Sequence, residues 1–267
     1  MKEFKSLKEK CEYYRSSTDY RLNRDEYVII MLDGRSFSKK IKNNFNKPFD
    51  EIFTHSMDLT TKYLCENVQG CKIGYCQSDE ISLVIKVSNE QSPFFDYRLC
   101  KLQSICASIA TAKFNQLMNG SRMLEWGLQR NHLDILTISN FVKEQPLYEF
   151  DCKAWNVPNS NDAFAWLLYR QNDCVRNSKQ QYAQTYLTHK ELVNLNTDEQ
   201  IKLVLDKTNN DWDTIIDGWK YGRFVIPVTK EMTNDYGTFQ RNVLEIIDAF
   251  ELNDNEAHAE ILSFIEQ

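Results

Sequence analysis

Lys72-Ile73-Gly74-Tyr75-Cys76-Gln77-Ser78-Asp79-Glu80-Ile81-Ser82-Leu83-Val84-Ile85-Lys86-Val87 reads as strand, tight acidic turn, strand. Two β-rich arms flank a short polar stretch, and the second arm sets Ile81, Leu83, Ile85 and Val87 on one face, which predicts a β-hairpin. Upstream, Tyr27 to Leu32 is a β-rich apolar run stopped by Asp33-Gly34-Arg35, a buried strand that ends in a turn with a carboxylate at its tip. Between the two, Pro48 opens a helical pattern through Ile52, Phe53, Met57, Thr60 and Leu64 to about Asn67. Downstream, Leu99, Leu102, Ile105, Cys106, Ile109 and Phe114 predict a helix over 96–119 with Gly120 as its stop, and Leu147 to Val157 supplies a fourth strand. Residues 121–146 fit no single pattern. The element order is β-α-β-β-α-β, an α+β, ferredoxin-like arrangement in which a four-stranded sheet is backed by two helices.

That sheet serves as the palm of many polymerases and cyclases, and it occupies residues 1–158 in this reading. Residues 159–267 form a mainly helical extension packed on the palm. Ser160 to Asp162 can cap a helix carrying Phe164, Trp166, Leu167 and Leu168, and Thr197-Asp198-Glu199-Gln200 fits a capping box before Ile201, Val204 and Leu205. Phe224 to Val228 reads as a late strand and Phe239 to Phe250 as an acidic amphipathic helix.

Composition narrows the function. The chain of 267 residues is 42% hydrophobic and 26% charged, without low-complexity tracts or solenoid repeats, which excludes disorder and coiled coil. Its longest apolar run, Ala163 to Tyr169, is too short for a bilayer, and the start Met1-Lys2-Glu3-Phe4-Lys5 carries charge where a signal peptide is apolar. A cytoplasmic protein with no membrane partner is expected. The formal charge of -6 is lopsided: residues 231–267 hold nine acids against Arg241 alone, leaving residues 1–230 slightly positive and compatible with RNA. Eight cysteines at irregular spacing read as reduced core residues; the pair Cys71 and Cys76 lacks further ligands for zinc. With neither a Walker A sequence nor a Gly-x-Gly-x-x-Gly turn, any nucleotide must be held by other means.

Asp33, Asp79 and Glu80 would lie side by side on neighbouring strands, where three converging carboxylates repel unless cations sit among them. Oxygen ligands favour Mg²⁺, and a two-ion centre suits in-line phosphoryl transfer. The plainer account is that Asp-Gly and Ser-Asp-Glu are ordinary turn formers at strand ends. The four histidines, His55, His132, His189 and His258, share no motif and read as surface or core. Trp155, Trp166, Trp212 and Trp219 can stack bases or simply pack, and Lys39-Lys40-Ile41-Lys42 is either an RNA contact or a solvated surface.

Taken with their flanks, these segments resemble the tRNA(His) guanylyltransferases and the related 3′-5′ polymerases. The resemblance is carried by Lys10-Cys11-Glu12-Tyr13, Leu32-Asp33-Gly34-Arg35-Ser36-Phe37-Ser38, Phe45-Asn46-Lys47-Pro48, Gly74-Tyr75-Cys76-Gln77-Ser78-Asp79-Glu80 and Tyr169-Arg170-Gln171-Asn172-Asp173-Cys174. It implies that Asp33, the Gly34 carbonyl and Asp79 hold two Mg²⁺ ions, with Glu80 shaping the acidic turn as a third catalytic acid. It implies that Asp33 to Ser38, with Ser78 and Asp79, contact the triphosphate of GTP, and that Lys47, Arg98 and Lys101 meet phosphates; without the resemblance, Arg98 and Lys101 are a solvated helix face. The implied reaction activates an RNA 5′-monophosphate with ATP or GTP, after which the 3′-hydroxyl of an incoming nucleotide attacks. Asp151, Lys153, Arg170 and Asn177 become candidate contacts for the RNA or for 5′ activation, tRNA the partner, and a homotetramer the expected assembly.

Two segments depart from the family pattern. Where the tRNA(His) enzymes continue His-Ile-Asn-Asn, this chain has Val175-Arg176-Asn177-Ser178, and their Phe-Asp-Gly-Arg is Phe150-Asp151-Cys152-Lys153 here, without the guanidinium fork. Templated repair of truncated tRNA 5′ ends is therefore expected over dedicated guanosine addition to tRNA(His). A palm-type nucleotidyl cyclase, an ordinary polymerase and a non-catalytic nucleotide- or RNA-binding module stay open as alternatives.

Overall fold

A computed structural model describes residues 3–41, 45–128, 135–234 and 237–267. Strands Tyr27–Gly34 (β1), Cys71–Gln77 (β2), Glu80–Ile85 (β3), Phe150–Val157 (β4), Arg223–Asn234 (β5) and Gly237–Asp248 (β6) form one antiparallel sheet ordered β4-β1-β3-β2-β5-β6. The helices are Leu7–Ser16 (α1), Phe37–Ile41 (α2), Glu51–Asn67 (α3), Leu99–Leu128 (α4), Ile135–Glu144 (α5), Ser160–Tyr186 (α6), His189–Leu192 (α7), Thr197–Thr208 (α8), Asp217–Tyr221 (α9) and Asn255–Glu266 (α10). The first four strands, with α3 and α4 as crossovers, take the ferredoxin-like order. No described helix is long and apolar enough to cross a membrane, and all eight cysteines are free thiols.

Both faces of the sheet are covered. Val28, Ile30 and Leu32 of β1 and Ile81, Leu83 and Ile85 of β3 pack beneath α3 and α4 with Met57, Leu64, Leu102 and Phe114. The alternate residues Ile29, Ile73, Tyr75 and Val84 pack under α6 and α10 with Ala163, Phe164, Leu167, Ile261 and Ile265. Every residue of β3 is consequently buried, so the one-sided alternation expected there is only half of its pattern. A third cluster, Tyr182, Leu192, Val204 and Trp212, joins the end of α6 to α7 and α8.

Several expected boundaries move. The helix expected over 239–250 is instead β6: Leu244 and Ile246 join the α3 side of the sheet while Ile247 joins the other. Adjacent apolar residues on opposite faces are the period of a strand, and β-branched Val243, Ile246 and Ile247 suit it. The late strand runs to Asn234 rather than Val228 and pairs with β6 throughout, so the extension contributes two strands to the sheet. Helix α4 begins at Leu99, because Phe95, Asp96 and Tyr97 all have positive φ, and it runs through Gly120, whose surroundings are open. The helix caps move. Asp50, two residues after the expected Pro48, caps α3, whereas Asn159 caps α6 and Asn196 caps α8 in a box with Glu199, each one residue ahead of the expected cap. Lys42 of the basic run and His132 lie outside the described residues.

Candidate active site

The end of β1 is locked to the acidic turn by its backbone. Gly34 N–H donates to the Asp79 carbonyl at 3.0 Å, and Arg35 N–H donates to the Glu149 carbonyl at 2.8 Å. A glycine is required at 34, since a Cβ there would sit 2.7 Å from the Phe37 ring. Phe37 is itself held in a cage of Phe53, Phe114, Tyr148 and Phe150. The chain turns at Ser36, φ 58°, into α2, so Arg35, Ser36 and Ser38 are exposed around the Asp33 tip while Phe37 anchors them. Across from it, the β2–β3 turn is made by Ser78, φ 47°, and Asp79, with Gln77 and Glu80 closing the ladder.

Asp33 pairs in register with Glu80 on one side and Asp151 on the other. Cross-strand partners share a face, so these carboxylates stand on the α6 side, opposite Leu32. Burial and the nearby Asp151 charge raise the Asp33 pKa, opposed by Lys153. Burial and then the charge of Asp33 push Asp79 up to about 6, although Ser78 Oγ donates to its Oδ1 at 3.2 Å. Two carboxylates in a partly dry site, Asp79 raised by Asp33 and Asp33 by Asp151, form a donor pair that a divalent cation would relieve.

Glu80 does not join that pair. Arg170 of α6 grips it with two bonds, Nε to Oε1 and Nη2 to Oε2, both 2.6 Å, in a buried contact. Burial raises the Glu80 pKa and the Arg170 bonds oppose the rise. Arg170 also meets Asp173 at 3.0 Å. The expected convergence of three acids is therefore two acids and a clamp, and among the described residues no three His, Cys, Asp or Glu side chains assemble into a metal site by themselves. Arg170 lies under α6, engaged by carboxylates, rather than open to RNA.

The remaining predicted residues divide by location. Lys153 is exposed on β4 beside Asp33, and Asp151 is exposed at the same end. Lys47 is exposed ahead of α3, and exposed Asn177 lines a cleft with Ser78. Arg98 and Lys101 are not brought to this site. Arg98 precedes α4 and Lys101 lies in its first turn, a start tied by Leu22 N–H to the Tyr97 carbonyl and Leu99 N–H to the Tyr20 carbonyl, at the opposite end of β1 from Asp33. Arg98 there binds Asp19 at 2.6 Å.

Sequence reading missed the cleft itself. It opens beside Ser78 between the start of α3, α6 and α9; Phe49 and Trp219 stack on its wall at 4.8 Å and 24°, and Gln77 and Arg223 lie within it. The Gln77 side-chain oxygen is buried without a partner among the described residues. Phe45-Asn46, Gln77-Ser78, Asn177 and Trp219 each carried a signal of their own, but their gathering into one cleft, with Phe49 against Trp219, comes solely from the fold.

A family model described as tRNAHis guanylyltransferase matches residues 8–158. The tRNA(His) guanylyltransferase of Schizosaccharomyces pombe is 29% identical over 159 residues, 59% of this chain and 53% of that protein. The chain thus spans about half the length of that curated relative. An uncharacterized protein, R259, of Acanthamoeba polyphaga mimivirus is 27% identical over 227 residues, 80% of this chain and 74% of that one. Among solved structures, a bacterial tRNA(His) guanylyltransferase-like protein in complex with ATP superposes with TM-score 0.80 at 25% identity, covering 97% of this chain and 99% of that chain. A bacterial tRNA(His) guanylyltransferase-like protein in complex with GTP gives 0.74 at 24% identity, covering 98% and 99%.

Proposed function

The chain belongs to the tRNAHis guanylyltransferase family, and on that premise we propose that it is a Mg²⁺-dependent nucleotidyltransferase that adds templated nucleotides to the 5′ end of tRNA. The observation that carries the reading is the pair Asp33 and Asp79, fixed edge to edge by the Gly34–Asp79 backbone bond and each raised in pKa by burial and a neighbouring acid. The bound nucleotides of the bacterial relatives support ATP and GTP as substrates.

Asp33, Asp79 and the Gly34 carbonyl would hold the metal. Two Mg²⁺ ions, when bound, lower the pKa of an attacking hydroxyl and offset charge on a leaving phosphate. The protein's own part is positional. Arg170 holds Glu80 and, through it, the start of β3, so that Asp79 keeps its place facing Asp33. Exposed Arg35, Ser36 and Ser38 present polar groups around the turn to a triphosphate, replacing the absent glycine loop. The cleft of Phe49, Trp219 and Gln77 offers flat apolar walls and an unsatisfied acceptor to a nucleobase.

Templated repair is favoured over dedicated guanosine addition by Val175, which stands where the tRNA(His) enzymes carry histidine. It packs against the Tyr182, Leu192 and Val204 cluster instead of presenting a polar group. The test is incubation with Mg²⁺, ATP, the four nucleoside triphosphates and a 5′-monophosphorylated tRNA lacking its first nucleotide, followed by sequencing of the RNA ends. Restoration of the paired nucleotide is expected. Absence of any 5′ extension, with intact tRNA(His) also unextended, removes the reading.

A further inference from the structure

On the β4 side of the acidic pair, α6 leaves part of the sheet uncovered. Trp166 reaches down from α6, donating its indole N–H to Ser82 Oγ at 3.0 Å and meeting Trp155 of β4 edge-on, centroids 4.7 Å apart at 81°. One turn further, Arg170 is committed to Glu80. Tyr169 stands between them at the rim. Its ring lies 5.7 Å from Trp166, the Arg170 guanidinium lies 5.1 Å from its centroid, and yet the residue is 57% exposed. The sheet beside it carries Lys153, exposed and in register with Met31, two positions along from Asp33 and Asp151 on the same face.

A large aromatic side chain held by two neighbours on a rigid helix gives up little freedom when something stacks on it. The polar neighbourhood argues against an apolar protein partner. The position argues for the second substrate, because the cleft of Phe49 and Trp219 opens on the other side of Asp79 and already suits one nucleotide. We propose that Tyr169 is a stacking platform for the nucleobase at the 5′ terminus of the RNA being extended, with Lys153 meeting its phosphate beside Asp33. The proposal rests on the reading of the site given above and adds the place where the RNA end lies.

The test uses a 5′-phosphorylated tRNA carrying 5-iodouridine as its first nucleotide. Irradiated with the full-length protein, it is expected to give an adduct that peptide mapping places on Tyr169. Tyr169→Ala is expected to weaken RNA affinity about 5- to 100-fold, the loss of one stacked base, and Tyr169→Phe to restore it; an exposed side chain can be exchanged without disturbing the fold. An adduct elsewhere, no adduct, or wild-type affinity in Tyr169→Ala overturns the platform. Product lengths from the same RNA separate the two readings. A Tyr169 adduct with no extension by the wild type keeps the platform and removes nucleotidyl transfer, whereas extension without the adduct does the reverse.

Discussion

Asp79 is costly to the protein without a cation. Its carboxyl is pushed up to about 6 by burial and by Asp33, so its charged form is the disfavoured one in the fold. Between the ordinary carboxylate range and about 6 the folded state holds more protons than the unfolded state, and stability in chelator should fall as pH rises through that window. Asp79→Asn removes the charge while keeping the shape. It should raise metal-free stability near neutral pH by roughly 1–3 kcal/mol in urea titration and abolish nucleotide addition; a variant that still adds nucleotides would remove Asp79 from the chemistry. Mg²⁺ should raise the Tm of the wild type and leave that of Asp79→Asn nearly unchanged. Arg170 makes the converse case. Arg170→Ala strands Glu80 and should cost about 3–5 kcal/mol, while the double variant Arg170→Met, Glu80→Leu should recover most of that stability without recovering activity. Equal activity in the double variant would show that the clamp does not position Asp79. Asp33 and Asp79 were legible because a turn at a strand end announces itself within a few residues. The commitment of Glu80 was not, because its partner lies 90 residues away.

Elements were legible where local signals and tertiary environment agree. β1, α3 and the β2–β3 hairpin appear as their patterns predict, since both faces of that part of the sheet are closed by helices. β6 failed that test: Ile246, Ile247 and Phe250 fit a helical stripe, and only the partner strand β5 and the two separate cores decide otherwise. Pro227, just past the last β2–β5 pair, Gly74 with Val225, lies where β5 has only β6 as a neighbour and so where its missing N–H leaves the β2 ladder intact. The start of α8 gives a sharper measurement. Asn196 Oδ1 accepts from the N–H groups of Asp198 and Glu199, and Glu199 accepts from the Asn196 N–H at 2.8 Å. Asn196→Ala should therefore lower stability by about 1 kcal/mol, and Thr197→Ala by only a few tenths. The opposite ranking in thermal denaturation would restore the boundary that the sequence suggests.

For the whole molecule, the question is whether the first four strands with α3 and α4 stand alone. The later half reaches them through several separate contacts besides the Arg170–Glu80 clamp. α6 and α10 cover Ile29, Ile73, Tyr75 and Val84, and β5 pairs with the free edge of β2. Arg223 of β5 donates from Nε to Asp58 of α3 at 2.6 Å in a buried ion pair, and Tyr75 donates its hydroxyl to the Tyr221 carbonyl at 2.7 Å. Cutting the chain after residue 158 would expose one whole face of the sheet, open an edge, and take from Asp58 and Glu80 the arginines that pair them. In the whole chain burial raises the Asp58 pKa and Arg223 opposes the rise, so the fragment loses this compensating ion pair together with the apolar burial. Residues 1–158 expressed alone should therefore lack fixed near-ultraviolet circular dichroism, bind hydrophobic dyes and unfold without cooperativity. A cooperative transition in that fragment would mean that the α3 and α4 side alone stabilises the sheet, and that the acidic pair is built before the second half arrives.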